Sequence, residues 1–351
     1  MSSNFCCRVL LNTEVSEDFP LYFLHAKSQS HGVKIGEQAQ LKRPGRKVEG
    51  IAACLLPYEA DGSLAREAFA QALQRTDAAG LQCAVNMDTG YANYLTEQER
   101  EEILDLTREA LGPGVPFVAG VFVEGLEGDL AELYRRGANA VVAHGGTPIL
   151  IQTTRFHEWS AAEIAALYAE VCAPYERVLA FELGRMFAPN GLIFSEETVQ
   201  RLMAIPSLKG IKHSSLCRFQ ELTRLALRDQ ERPDFRIYTG NDLGIDMIEY
   251  GSDYLLGLAA FCPEKFAQRD QAWAEGDAET YAALHDGLQY LGNVAFRAPV
   301  PAYKHSCAVF QHLLGRIPTD RAHPQCPIRA TWESDILRDC AGRLGLETAP
   351  S

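Results

Sequence analysis

No Cys-x-x-Cys pair occurs among the ten cysteines of this 351-residue chain, and none of its nine histidines stands in a His-Glu-x-x-His spacing. The commonest zinc-ligand and metalloprotease signatures are therefore missing. Basic charge is also scarce: 33 Lys and Arg face 46 Asp and Glu, a formal net charge of -13. That balance argues against non-specific binding to nucleic acid or to an anionic membrane, both of which call for a basic face, and any anionic substrate must meet a local positive site. Apolar runs long enough to span a bilayer are absent, as is a charged-apolar-small leader, so a cytoplasmic protein is expected. Cys54, Cys83, Cys172 and Cys262 sit singly on apolar runs and read as small core residues in a reducing compartment.

What the chain does have, from Gly50 onward, is a regular alternation. Eight short apolar runs, Ile51–Leu56, Leu81–Val85, Val115–Val121, Ala138–Ala143, Arg177–Phe181, Leu208–Ile211, Phe235–Tyr238 and Tyr254–Leu258, are separated by longer amphipathic stretches. Thr96 with Glu99 and Ser160 with Glu163 fit the capping box that opens a helix. Strands buried on both faces and alternating with helices predict a parallel sheet, and eight units in about two hundred residues favour a closed TIM (β/α)8 barrel over an open doubly wound sheet. No Gly-x-Gly-x-x-Gly follows the first strand, which weakens a dinucleotide-binding alternative. The expected organisation is an N-terminal arm over residues 1–48, the barrel over 49–262 and a C-terminal helical region over 263–351. The basic run Lys42 to Lys47 closes the arm and reads as a solvated patch.

Chemistry in such a barrel belongs at the carboxyl ends of the strands. The sixth run carries Lys212 there, followed by His213, Ser214 and Ser215. A lysine buried at a strand end loses the stabilisation of its ammonium form and can attack a carbonyl as a neutral amine. The bland alternative is a snorkelling or ion-paired lysine. His144 ends the expected fourth strand.

Four stretches then carry a family resemblance. They are Gly50-Ile-Ala-Ala-Cys-Leu-Leu-Pro-Tyr58 with Asp61-Gly62; Asp88-Thr-Gly-Tyr-Ala-Asn-Tyr-Leu-Thr-Glu-Gln-Glu-Arg100; Pro206-Ser-Leu-Lys-Gly-Ile-Lys-His-Ser-Ser215; and Tyr238-Thr-Gly-Asn-Asp242, with Tyr250 to Gly257 and Pro301-Ala-Tyr-Lys-His305 downstream. From about Gly50 to Leu346 the chain resembles the dihydrodipicolinate synthase / N-acetylneuraminate lyase family of class I aldolases. The resemblance implies that Lys212 forms an imine with the keto group of a 2-oxo acid, and that the loop after the second strand holds the substrate carboxylate.

Two departures accompany the resemblance. Where the family usually has Gly-Thr-Thr-Gly-Glu, this chain has Met87-Asp88-Thr89-Gly90-Tyr91, so Asp88 replaces the first threonine of the proton relay. Where the family has Tyr-Asn-x-Pro after the fifth strand, this chain has Phe181-Glu182-Leu183-Gly184-Arg185, and phenylalanine carries no proton. Asp88 is the preferred replacement and Glu182 the second, although strand alternation turns Glu182 and His213 outward if Phe181 and Lys212 face inward. Thr89 and Gly90 are the candidates for holding the carboxylate, with Arg185, Gly240 and Asn241 completing substrate binding. Arg185 reads equally as a surface ion pair, and the Gly240 to Asp242 stretch as a helix N-cap.

The function expected is that of a Schiff-base lyase, without metal or organic cofactor, performing retro-aldol cleavage or dehydration of a sugar-derived 2-oxo-3-deoxy acid. Condensation of the 4-hydroxy-tetrahydrodipicolinate synthase type is the alternative enzyme. A degenerate barrel that binds a 2-oxo acid as sensor or partner subunit is the alternative outside catalysis. The partner expected is a small 2-oxo acid, not nucleic acid or membrane, and the resemblance implies a homo-oligomer, dimer or tetramer.

Overall fold

A computed structural model describes residues 41–349, so most of the arm expected over residues 1–48 lies outside the described residues. Eight parallel strands close into a barrel in chain order: β1 (Gly50–Ala53), β2 (Gln82–Val85), β3 (Phe117–Val121), β4 (Thr147–Leu150), β5 (Val178–Phe181), β6 (Leu208–His213), β7 (Arg236–Thr239) and β8 (Asp253–Leu256), which pairs back onto β1. Helices α1 (Arg66–Ala78), α2 (Glu97–Leu111), α3 (Leu130–Ala143), α4 (Ala161–Cys172), α5 (Glu196–Met203) and α6 (Arg218–Glu231) make the first crossovers, and a 3-10 turn over Ile245–Tyr250 makes the seventh. After β8 come α7 (Pro263–Glu275), α8 (Ala278–Ala295), α9 (Tyr303–Leu313) and α10 (Glu333–Arg343).

Period-two alternation builds two concentric cores. Ile51, Ala84, Val118, Ile149, Leu179 and Leu255 fill the barrel interior, while their neighbours Ala52, Cys83, Ala119, Leu150, Ala180 and Leu256 face the helices. Each large aliphatic side chain so buried contributes about 1.5–3 kcal/mol of transfer free energy. Both expected capping boxes form: the Thr96 and Ser160 hydroxyls accept the backbone N–H of Glu99 and Glu163, whose carboxylates accept the cap N–H in return at 2.7 Å.

The fourth strand is a correction. Ala138–Ala143 forms the end of α3, and the strand is Thr147–Leu150. Asp129 caps α3 by accepting the Glu132 N–H at 2.9 Å, and Leu130, Leu133, Tyr134, Ala138 and Val141 continue one buried helical face. A short alanine-valine run reads alike in a buried helix and a buried strand, and here the longer period prevails. His144 is consequently a helix C-cap whose ring bonds Ala140 O at 2.7 Å and Asp105 at 2.9 Å, away from any strand end. The basic run also differs from expectation: Lys42 pairs with Glu249, Arg43 with Asp229, and Arg46 with Asp253 at 2.6 Å.

Candidate functional site

Lys212 is the penultimate residue of β6 and stands in register with Phe181 on β5 and Tyr238 on β7, both interior residues. Its Nζ lies 4.5 Å from the centroid of the Phe181 ring. The residue is 8% exposed, and among the described residues its amine forms neither a hydrogen bond nor an ion pair. Burial holds its pKa below the ordinary lysine value, against the opposing pull of the Asp242 and Asp88 carboxylates. Gly240 makes room for it, since a Cβ there would stand 2.7 Å from Lys212 Cε. The amine opens on a pocket that Asp88, Thr89, Asp242, Phe296 and Tyr303 also line.

The loop after β2 brings Asp88 and Thr89 to this cavity through a 3-10 turn flanked by Asn86 and Tyr91, two non-glycine residues at φ 52° and 61°. Left-handed backbone at such residues costs on the order of 1–3 kcal/mol, a strain that tertiary packing must outweigh. The packing comes from α9. The Tyr303 hydroxyl donates to Asp88 Oδ2 at 2.9 Å and lies 2.8 Å from Thr89 Oγ1. Because the phenol proton is committed to the carboxylate, Thr89 is the donor in the second contact. Lys304 Nζ donates to Asp88 Oδ1 at 2.9 Å and is enclosed by the rings of Tyr91, Tyr94 and Tyr303 at 5.8, 5.7 and 5.7 Å. Burial, reinforced by the Asp88 carboxylate, pushes the Tyr303 phenol well above its ordinary value, so it stays protonated at neutral pH.

Phe181 thus leaves the fifth strand without a hydroxyl, and a phenol reaches the same cavity from the C-terminal region. Its placement is enforced. Arg329 ties the turn before α9 by donating to Ala295 O at 2.8 Å, Arg297 O at 2.6 Å and Ala298 O at 3.1 Å. Phe296 stacks on the Tyr303 ring at 4.3 Å. Gln311 pins α9 to the carbonyls of Ala260 and Phe261, both at 2.7 Å. Gly257 accommodates the approach, because a Cβ there would lie 2.9 Å from Tyr303 Cε2 and 3.0 Å from Thr89 Oγ1.

Asp242 is the other polar group that the residue-level reading passed over. It follows β7, accepts the Leu258 N–H at 2.7 Å and is buried. Burial pushes its carboxyl up to about 7, with Lys212 pulling the other way. Its position in the strand-end triplet Gly240-Asn241-Asp242 was the available signal. Asn241 instead organises its own loop, accepting the Leu243 N–H at 3.1 Å, and Gly90 spends its N–H on Met87 O at 3.0 Å.

Alternation decides the position of Glu182. It lies on the outer side of the strands, where its carboxylate pairs with Arg224 and His213 and accepts the Phe194 N–H at 2.8 Å. His213 Nε2 in turn meets Ser215 Oγ at 2.7 Å. Neither Glu182 nor His213 lines the Lys212 cavity. Arg185 is exposed on the loop beyond β5 and lines neither that cavity nor its neighbour.

The eight parallel strands close into a barrel with an inward lysine on the sixth strand and helices following the eighth, the TIM-barrel arrangement expected from the sequence. The chain belongs to the family described as "Protein of unknown function (DUF993)", whose model matches residues 67–320. Curated relatives bear out the resemblance to the dihydrodipicolinate synthase group. The chain is similar to 4-hydroxy-tetrahydrodipicolinate synthase of Xylella fastidiosa, 28% identical over 213 residues that make up 60% of this chain and 67% of that protein. It is similar to the enzyme of the same name from Rhodospirillum centenum, 26% identical over 305 residues, 85% of this chain and 98% of that one. Among solved structures it shares its fold with dihydrodipicolinate synthase from Thermotoga maritima, with a TM-score of 0.73 at 17% identity, covering 86% and 99% of the two chains. A prophage protein of the dihydrodipicolinic acid synthase family from E. coli K12, solved in complex with pyruvate, matches with a TM-score of 0.72 at 17% identity, covering 85% and 99%. No helix among the described residues is long and apolar enough to cross a membrane.

Proposed function

We propose that this protein is a lysine-dependent lyase that cleaves or dehydrates a 4-hydroxy-2-oxo acid through an imine on Lys212. The observation that carries the reading is an inward lysine, buried and without a counter-ion among the described residues, in one cavity with Asp242, Asp88, Thr89 and Tyr303. Its depressed pKa raises the fraction of neutral amine near pH 7, the form that attacks a ketone. Attack forms a C–N bond, and loss of the former keto oxygen as water leaves the imine. Asp242, titrating at about 7, is suited to deliver and recover the protons of that dehydration.

The protonated imine then accepts an electron pair. In retro-aldol cleavage the C3–C4 bond breaks, the 4-hydroxyl loses its proton as C4 becomes a carbonyl, and the pair resides in the enamine. In dehydration a C3 proton leaves first and the 4-hydroxyl departs as water. Either route needs a proton carrier beside C4. The Thr89–Tyr303–Asp88 chain supplies one: Tyr303 accepts a proton as it passes its own to Asp88, so the phenol carries no charge. This hydroxyl stands in for the one that Phe181 lacks, and Asp88 keeps the proton-carrying role expected of it. The pyruvate bound by the E. coli prophage protein supports a small 2-oxo acid as ligand.

Borohydride reduction in the presence of pyruvate, read by intact mass and peptide mapping, tests the imine. A stable adduct on Lys212 that disappears in Lys212→Ala is expected, and its absence with pyruvate and with larger 2-oxo acids overturns the proposal. 4-Hydroxy-2-oxo acids with varied tails, sugar-derived 2-oxo-3-deoxy acids among them, are the set to assay for turnover. An adduct without turnover of any 4-hydroxy-2-oxo acid would favour a binding barrel over an enzyme.

A further inference from the structure

A second, open pocket adjoins the one that holds Lys212. Asp88 and Leu183 line both, so the two spaces meet along these side chains and the second lies beside the cavity that receives the imine carbon. Its walls are Phe122, Ile151, Phe181, Leu183 and Ala188. Phe181 belongs to both environments, its ring facing Lys212 Nζ at 4.5 Å and also walling the second cavity.

Polar groups there are few and mostly engaged. Asn190 donates its amide to Gln152 O at 2.6 Å, and Asn93 lies at the exposed edge. Asp88 is the charged residue lining this cavity, its sign is negative, and Arg185 does not reach it. No cation among the described residues lines this pocket, and a second carboxylate on a substrate tail would face Asp88, whose partner Lys304 is already engaged by it at 2.9 Å. A run of hydroxyls would give up water for walls that offer almost no partners, at a cost for each group left unpaired. Apolar atoms gain from the same burial.

We infer that the substrate is a monocarboxylic 4-hydroxy-2-oxo acid whose tail beyond C4 is uncharged and mostly apolar, branched aliphatic or aryl, seated in this second cavity. The inference rests on the imine reading of Lys212. It displaces the polyhydroxylated tail expected from the sequence and disfavours dicarboxylic substrates.

Trapping titrations distinguish the tails. Half-saturating concentrations for borohydride-trapped adduct on Lys212 are compared for 2-oxo-4-phenylbutanoate, 4-methyl-2-oxopentanoate, 2-oxoglutarate and 2-oxo-3-deoxygluconate. The two apolar acids are expected to saturate at concentrations at least about tenfold below the other two. Phe122→Gln, at a partly exposed position, is expected to bring that ratio towards one. Equal or reversed preference, or a ratio unmoved by Phe122→Gln, with adducts still on Lys212, overturns the tail assignment and leaves the imine reading standing. No adduct with any acid, pyruvate included, overturns both.

Discussion

The two ends of the barrel treat charge in opposite ways. At the amino ends of the strands Asp253 and Glu49 are both ion-paired. Asp253 accepts Arg46 at 2.6 Å, Arg236 at 2.9 Å and the Glu49 N–H at 2.9 Å. Glu49 accepts the Tyr238 hydroxyl at 2.8 Å and Arg177 at 3.1 Å. At the carboxyl ends Lys212 faces an aromatic ring, Asp242 meets one backbone amide, and the buried Ser214 hydroxyl has no partner among the described residues. The carboxyl end also pairs Glu182 and Asp88, yet Lys212 and Asp242 stand there without an ion-pair partner among the described residues and face the cavity, where a ligand can use them.

Substitutions can break this contrast. Lys212→Met is expected to abolish adduct formation completely while raising unfolding free energy by about 1 kcal/mol, because an unpaired buried ammonium gives way to apolar packing. A loss of stability in denaturant titration would mean that Lys212 is structural. Asp253→Ala, at the other end, is expected to cost about 2 kcal/mol by removing the acceptor of Arg46 and of the Glu49 N–H, while Arg236 keeps Glu49 nearby, with the Lys212 adduct still forming in the folded fraction. An unchanged midpoint would mean that the Asp253 pairs do not stabilise the fold.

Smaller effects sharpen the upper end. Tyr303→Phe is expected to slow turnover about 10²-fold, the range of a lost general acid–base group. Adduct formation should stay within about tenfold, which separates proton transfer from a general collapse of the cavity. Equal losses in both assays would make Tyr303 a packing residue. Asp242→Asn is expected to move the pH profile of imine formation by about one unit. The carboxylate favours the ammonium form of Lys212. Its removal lowers the amine pKa further, so the rising limb shifts to lower pH. A shift to higher pH would put the dominant interaction elsewhere.

Much of this was legible in the residues. Lys212 at a strand end, the two capping boxes and the outward turn of Glu182 follow from local periodicity, which depends only on neighbours within a turn or a pleat. The misplaced fourth strand shows the limit of that signal, because Ala138–Ala143 carries enough apolar character for either period. Asp242 was visible as a strand-end carboxylate but not as a group titrating at about 7, since that shift comes from desolvation by the assembled barrel.

By itself, then, the sequence determined seven of the eight strands, the caps and the chemical type of the residue on β6, all of them consequences of short-range geometry. Only the tertiary structure decided that Tyr303 would meet Thr89, 214 residues earlier in the chain, and so return a hydroxyl to the cavity where Phe181 has none. Closing the barrel and docking α9 across its mouth brings those side chains within 2.8 Å, and no pattern confined to either segment encodes that distance.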